Sequence, residues 1–163
     1  MLEGKRVAVV VPAAPAPKHA MLVVARNDGL YLVRPRTRDR KVARTAGARA
    51  PAWAPNGREL AFERSGNVYL ANRDGSGQRL LLAGTDPDWS PDGRFVVAAR
   101  NGAIVVARRN GSRVRSVTTG PADGDPAWSP NGTHIAFSRD GTITVARSSG
   151  AEATTIAAGT QPA

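Results

Sequence analysis

Over residues 51–163 the apolar positions fall in short alternating runs, without the three-and-four spacing of a helix. Leu60 and Phe62, and later Ile135 and Phe137, stand one residue apart and so share one face of an extended strand. Val68/Leu70, Ile104/Val106 and Ile143/Val145 repeat the alternation a few residues further on. Between these runs lie Ser65-Gly66, Asn101-Gly102 and Asp140-Gly141, pairs suited to two-residue hairpins. Asp74-Gly75, Asn110-Gly111 and Ser149-Gly150 turn the chain once more, ahead of Leu80–Leu82, Val114–Val117 and Thr154–Ile156. Each stretch therefore predicts a succession of short antiparallel strands and no helix.

The pattern is an internal repeat. Three segments open alike: Pro51-Ala-Trp53-Ala-Pro-Asn-Gly57, Pro87-Asp-Trp89-Ser-Pro-Asp-Gly93 and Pro126-Ala-Trp128-Ser-Pro-Asn-Gly132, with the tryptophans 36 and 39 residues apart. In the second copy Ser90, Pro91, Asp92 and Gly93 fit a type I turn, with proline presetting φ at its second position. A strand ending at the Trp, this turn and three further strands make a four-stranded antiparallel meander. Such a meander repeated about every 40 residues is a propeller blade. The expected architecture is all-β, a small or partial β-propeller of about four blades forming one domain. Residues 1–50 supply an irregular N-terminal blade with a Pro-rich connector, and 51–86, 87–125 and 126–163 are the repeats. Val7–Val11 is expected as a strand of the first blade.

The motif Trp89-Ser-Pro-Asp-Gly93, the strand Ile135-Ala-Phe137 and the closing Asp74-Gly75 turn resemble the repeat of the TolB-like, WD-related β-propellers. The resemblance covers 51–163 well and 20–50 in part, where Gly29-Leu-Tyr31-Leu32-Val is similar to Asn67-Val-Tyr69-Leu70-Ala but no Trp motif precedes it. It implies a scaffold for protein partners and a place in the bacterial periplasm or envelope. The same repeat also forms the propeller of prolyl-oligopeptidase-type peptidases, which implies the alternative of a propeller portion of a larger peptidase or sensor protein whose effector domain lies elsewhere. Fold alone does not choose between these.

Charge adds a third reading. The chain carries a net charge of +10, and residues 1–50 hold eleven Lys/Arg against three acids, whereas 51–163 hold twelve against ten. Arg34, Arg36, Arg38 and Arg40 alternate with other residues, so an extended segment would put all four on one face. With Lys41 and Arg44 they form a candidate patch for an acidic partner, nucleic acid or another polyanion, or an anionic membrane surface, against the favoured, plainer reading of a charged blade edge that resists strand pairing. Only three of the 23 basic residues are lysine, the bias of a GC-rich coding sequence.

Candidate chemistry is sparse. There is no cysteine, hence no disulfide or thiolate metal site. No apolar run approaches the ~18–20 residues of a membrane-spanning helix. His19 and His134 are too far apart in sequence to suggest a zinc site, and no nucleophile elbow, phosphate loop or dinucleotide fingerprint occurs. No catalytic residue, metal or cofactor is implied. Trp53, Trp89 and Trp128 recur at one blade position, as packing between blades requires of them, although stacking on a ligand is the competing use. Asp86, Asp88, Asp123 and Asp125 flank the start of the innermost strand, where they suit turn and cap chemistry or, alternatively, a cation. Self-association through open blade faces, with Leu60/Phe62 or Ile135/Phe137 uncovered at the ends, is a further expectation, and its rival is a ring closed by Val7–Val11 pairing with the last blade.

Overall fold

The computed structural model describes residues 7–8, 21–34, 36–150 and 153–158, and among them there is no helix. Four sheets of four antiparallel strands follow one another along the chain. The first blade contains β1 (Val7–Ala8), β2 (Leu22–Arg26), β3 (Gly29–Val33) and β4 (Arg40–Lys41). The second has β5 (Arg49–Trp53), β6 (Glu59–Arg64), β7 (Asn67–Asn72) and β8 (Arg79–Ala83). The third has β9 (Thr85–Trp89), β10 (Phe95–Arg100), β11 (Ala103–Arg108) and β12 (Arg115–Ser116), and the fourth β13 (Asp123–Trp128), β14 (His134–Arg139), β15 (Thr142–Arg147) and β16 (Ala153–Ala158). Each blade is a meander in chain order. Of the expected strand Val7–Val11, Val9–Val11 lie outside the described residues, as do Pro12–Pro17, His19 and Gly159–Pro162.

Local chemistry accounts for the turns. Ser65-Gly66, Asn101-Gly102 and Asp140-Gly141 have positive φ at both residues, the signature of the I′ hairpin whose twist matches that of its strands. In the Ser-Pro-Asp-Gly turn the Gly93 amide donates to the Ser90 carbonyl at 2.8 Å, while Asp92 Oδ1 accepts from Ser90 Oγ at 2.6 Å and from the Arg94 amide at 3.0 Å. Asn56 and Asn131 accept the corresponding amides of Arg58 and Thr133. At Gly102 the glycine is obligatory, because φ is +74° and a Cβ there would lie 2.1 Å from the Pro121 carbonyl oxygen.

Backbone hydrogen bonds define two faces. The turn after each first strand meets the turn after each third strand: Arg73 N donates to Arg58 O, Arg109 N to Arg94 O and Ser148 N to Thr133 O, at 2.8–2.9 Å. We call this the turn face. On the opposite, hairpin face the links between blades meet the I′ hairpins, with Gly84 N donating to Gly66 O and Asp123 N to Gly102 O.

The core lies between blades. One cluster joins Val23, Leu30 and Leu32 of the first blade to Trp53, Leu60 and Phe62 of the second. A second joins Val68, Leu70 and Leu82 to Trp89, Val96 and Val105. A third joins Val97, Ile104 and Val106 to Ile135 and Phe137, with Trp128 packed against it. Two expectations change here. Leu60, Phe62, Ile135 and Phe137 are not uncovered; each is fully buried under the preceding blade. And Val7–Ala8 pairs with β2 inside its own blade, Val7 opposite Val24, not with the last blade. Alternation reveals which residues share a face, but not which neighbour covers it.

Candidate interaction surface

The repeated tryptophans are structural anchors. Trp53 and Trp89 are buried and Trp128 half-buried, each against the blade before it. None of the three indole N–H groups has a hydrogen-bond acceptor among the described residues, so their contribution is apolar packing. Pro91, Asp92 and Gly93 sit in the turn face beside them, and Ser90 Oγ is engaged by that turn, donating to Asp92.

At the hairpin face a cleft of about 360 Å³ opens where the second, third and fourth blades meet, lined in part by Ala83, Asp86, Arg100, Asn101, Asp123 and Asp125. Asp86 and Asp125 have φ of 51° and 47°, and Ala50 at the same place in the second blade has 44°. Each precedes a proline at the bulge of an innermost strand. Asp and Asn tolerate this left-handed conformation better than most residues. Asp125 Oδ2 accepts from Ser138 Oγ at 3.2 Å.

The other two acids tie the blades together. Asp123 is wholly enclosed and receives Arg139 Nε at 2.6 Å and Nη2 at 2.8 Å. Burial pushes its carboxyl up, but hydrogen bonds from Arg139 and Thr118 with the Arg139 charge outweigh this and hold it below the ordinary value. Asp88 accepts the Trp89 amide of its own blade at 2.9 Å and the Trp128 amide of the next at 2.8 Å, latching the two innermost strands. Its exposed area is intermediate, yet protein crowds the carboxyl, and that burial raises its pKa against the two amide bonds. Among the described residues no group of three or more metal-type side chains could hold an ion. His134 is exposed, its Nδ1 2.7 Å from Thr133 Oγ1.

The basic segment departs from its expected shape. Arg34–Thr37 turns, with Thr37 N donating to Arg34 O at 3.3 Å, so Arg34, Arg36, Arg38 and Arg40 do not line one extended strand. Arg36, at φ 62°, bends the chain where alternation requires an extended backbone. Arg34, Arg36 and Arg38 lie exposed in the turn-face loop of the first blade. Arg40 pairs with Leu32 as Arg79 pairs with Leu70 and Arg115 with Val106. Arg79 and Arg115 each donate to the next blade's turn, at Arg109 O and Ser148 O. At Arg79 and Arg115 the arginine that starts the fourth strand is thus an inter-blade clasp, which the sequence alone does not show. Lys41 bonds Asp28 at 2.6 Å, and the Arg44 carbonyl accepts from Arg64 and Gln78.

The fold is that of a TolB-like β-propeller. A putative TolB from Agrobacterium tumefaciens superposes with a TM-score of 0.73 at 20% identity, over 83% of this chain and 60% of that one. A structure described as a nidogen/laminin complex matches at 0.73 and 12%, over 96% of this chain and 65% of its own. The tricorn protease matches at 0.63 and 12%, over 95% and 18%. The chain thus spans less than two thirds of the length of each. Propellers within enzymes and propellers outside them are both among its structural neighbours. No protein-family model and no curated protein matches the sequence. No helix among the described residues is long and apolar enough to cross a membrane.

Proposed function

We propose that this chain is a non-catalytic protein-interaction module, with the hairpin-face cleft as its principal contact. The observation that carries the reading is the cleft itself: three blades held together by buried clusters converge on it, and Asp86 and Asp125 at its wall are fixed in left-handed conformations. Asp123 at the cleft is held by Arg139, Asp88 latches two strands and Ser90 closes a turn, while the hydroxyl–imidazole contact of Thr133 with His134 lies exposed on the turn face, away from the cleft. The TolB and nidogen/laminin likenesses are in keeping with a role in protein binding. A photocrosslinking residue at exposed Arg100 is expected to capture a discrete polypeptide, and Ala83→Trp, which fills the cleft from an exposed position, to suppress the capture without changing the melt. Capture indifferent to Ala83→Trp would refute the site. Peptidase or esterase turnover that survives repurification and disappears on one substitution would refute the non-catalytic role.

A second reading has its own support. Ala61, Val68 and Leu70 of the second blade are buried by the third, but Ala136, Ile143 and Val145, which hold the same positions in the fourth, are only half-buried. That face favours self-association, through a twofold arrangement that covers it. Light scattering at ~100 μM protein, above typical weak-dimer affinities, is expected to report a dimer; a monomer mass there would exclude it.

A further inference from the structure

In sequence the positive charge is concentrated in the first third of the chain, but in space it sorts by face. The turn-face loops of the first blade carry Arg34, Arg36 and Arg38. Arg58 and Arg73 stand on two turns of the second blade joined by a backbone hydrogen bond, and Arg94 and Arg109 occupy the equivalent pair of turns in the third. Arg113 adds another. Against these, the described turn-face loops hold only Asp39, Asp74 and Asp92. The hairpin-face loops hold Arg44 against Asp28 and Asp140. A coding bias toward arginine loads both faces alike, so it does not account for this division.

Apart from Arg44 and Arg100, whose side chains are exposed, the arginines near the hairpin face are engaged by partners. Near the hairpin face, Arg49 bonds Glu63 and Arg139 bonds Asp123, while Arg64 reaches a carbonyl and stacks over Tyr69. On the turn face Arg109 contacts Glu59, but the side chains of Arg36, Arg38, Arg58 and Arg73 are exposed and make no ion pair or hydrogen bond among the described residues. Neighbouring like charges at exposed positions are slightly unfavourable, so the fold itself gains nothing from them.

We propose that the turn face binds the phosphate backbone of duplex nucleic acid, a surface separate from the hairpin-face cleft. Guanidinium groups match phosphate in a two-pronged fashion. Their recurrence at the same two turns of successive blades suits a ligand whose charges also recur at regular intervals, as phosphodiesters do. No aromatic side chain stands exposed for base stacking: Trp53, Trp89, Phe62 and Phe137 are buried, and Tyr31, Tyr69, Phe95 and Trp128 half-buried. This favours a duplex over a single strand. Among the described residues the exposed large apolar side chains are Leu80, Val114 and Ile156, one to a blade on or beside the outermost strand, which is not the continuous apolar stripe of a membrane-surface binder.

The test is anisotropy of a labelled duplex of about 20 base pairs titrated with the full chain at ~50 to ~200 mM salt, where backbone binding weakens steeply. Micromolar affinity at low salt is expected, with Arg58→Glu/Arg94→Glu weakening it at least ~10-fold and flattening the salt dependence by about two units of slope. The neutral pair Arg58→Gln/Arg94→Gln introduces no repulsion and is expected to show a smaller loss in the same direction. Arg100→Glu, on the hairpin side, is expected to change little. The proposal is overturned by no binding at ~50 mM salt with ~100 μM protein, by equal losses from Arg100→Glu, or by unchanged binding in both Arg58/Arg94 pairs. It is also overturned if anionic vesicles or polyglutamate bind more tightly than the duplex with the same sensitivity to these substitutions.

Discussion

Trp89→Ala is expected to destabilise the chain by about 3–5 kcal/mol, the cost of emptying a large aromatic site in a packed interior. Trp89 is only 4% exposed and belongs to the cluster that joins the second and third blades. Its neighbours there, Val68, Leu70 and Val96, are almost wholly enclosed and anchored in two different sheets, so they cannot relax inward without separating strands. Trp128→Ala should cost less, because that ring is half-buried at the margin of its cluster. Trp89→Phe should recover much of the loss, since the indole N–H has no acceptor to lose. Urea denaturation of the three variants measures the order. An unchanged midpoint for Trp89→Ala, with a ligand lost instead, would identify the position as a stacking site.

Arg139→Ala is expected to cost about 3 kcal/mol near neutral pH, because it strands an enclosed carboxylate. Asp123 has no exposed side-chain area, whereas Arg139 is about a third exposed, so solvent can replace the guanidinium only in part. The repeat provides its own control: Arg100 ends the second strand of its blade as Arg139 does, is exposed, and has no ion pair among the described residues. Arg100→Ala should stay within about 0.5 kcal/mol. The pair also makes stability depend on acid. The folded state holds the Asp123 carboxyl below its ordinary value of about 4. Its contribution is therefore complete above that value and lost as pH falls through the depressed one. Asp88, raised in the folded state, acts with the opposite sign, its contribution fading as pH rises through its elevated pKa. Denaturation midpoints from about pH 5 to about pH 2 should decline less steeply in Arg139→Ala than in the parent. Parallel slopes would mean that Asp123 is not held by Arg139.

The strands and turns were legible because they are fixed within a few residues. Ser65-Gly66 and Asn101-Gly102 demand a turn by their own conformational preferences, and Leu60/Phe62 alternate whatever lies opposite. The interactions between blades were not, because they depend on stacking that brings together residues some 30–40 positions apart. Asp88 looked like turn chemistry, yet its second oxygen takes the amide of Trp128, and nothing near Asp88 in the chain announces this. Arg40 looked like one of a row, although its register is that of Arg79 and Arg115, the two arginines that clasp the next blade. Comparing the repeats position by position at the fourth strand is the signal that could have found it. The turn-face arginines were invisible for a related reason: Arg58 and Arg73 are separated by two strands and meet only when the blade folds.

That consecutive blades pack face to face, with each tryptophan wedged against the blade before it, can be tested on the indoles themselves. In a nuclear Overhauser spectrum of methyl-labelled protein, Trp53 ring protons should show contacts to methyl groups of Leu30 or Leu32, those of Trp89 to Val68 or Leu70, and those of Trp128 to Val97 or Val106. Contacts confined to methyl groups of each tryptophan's own repeat would contradict the account.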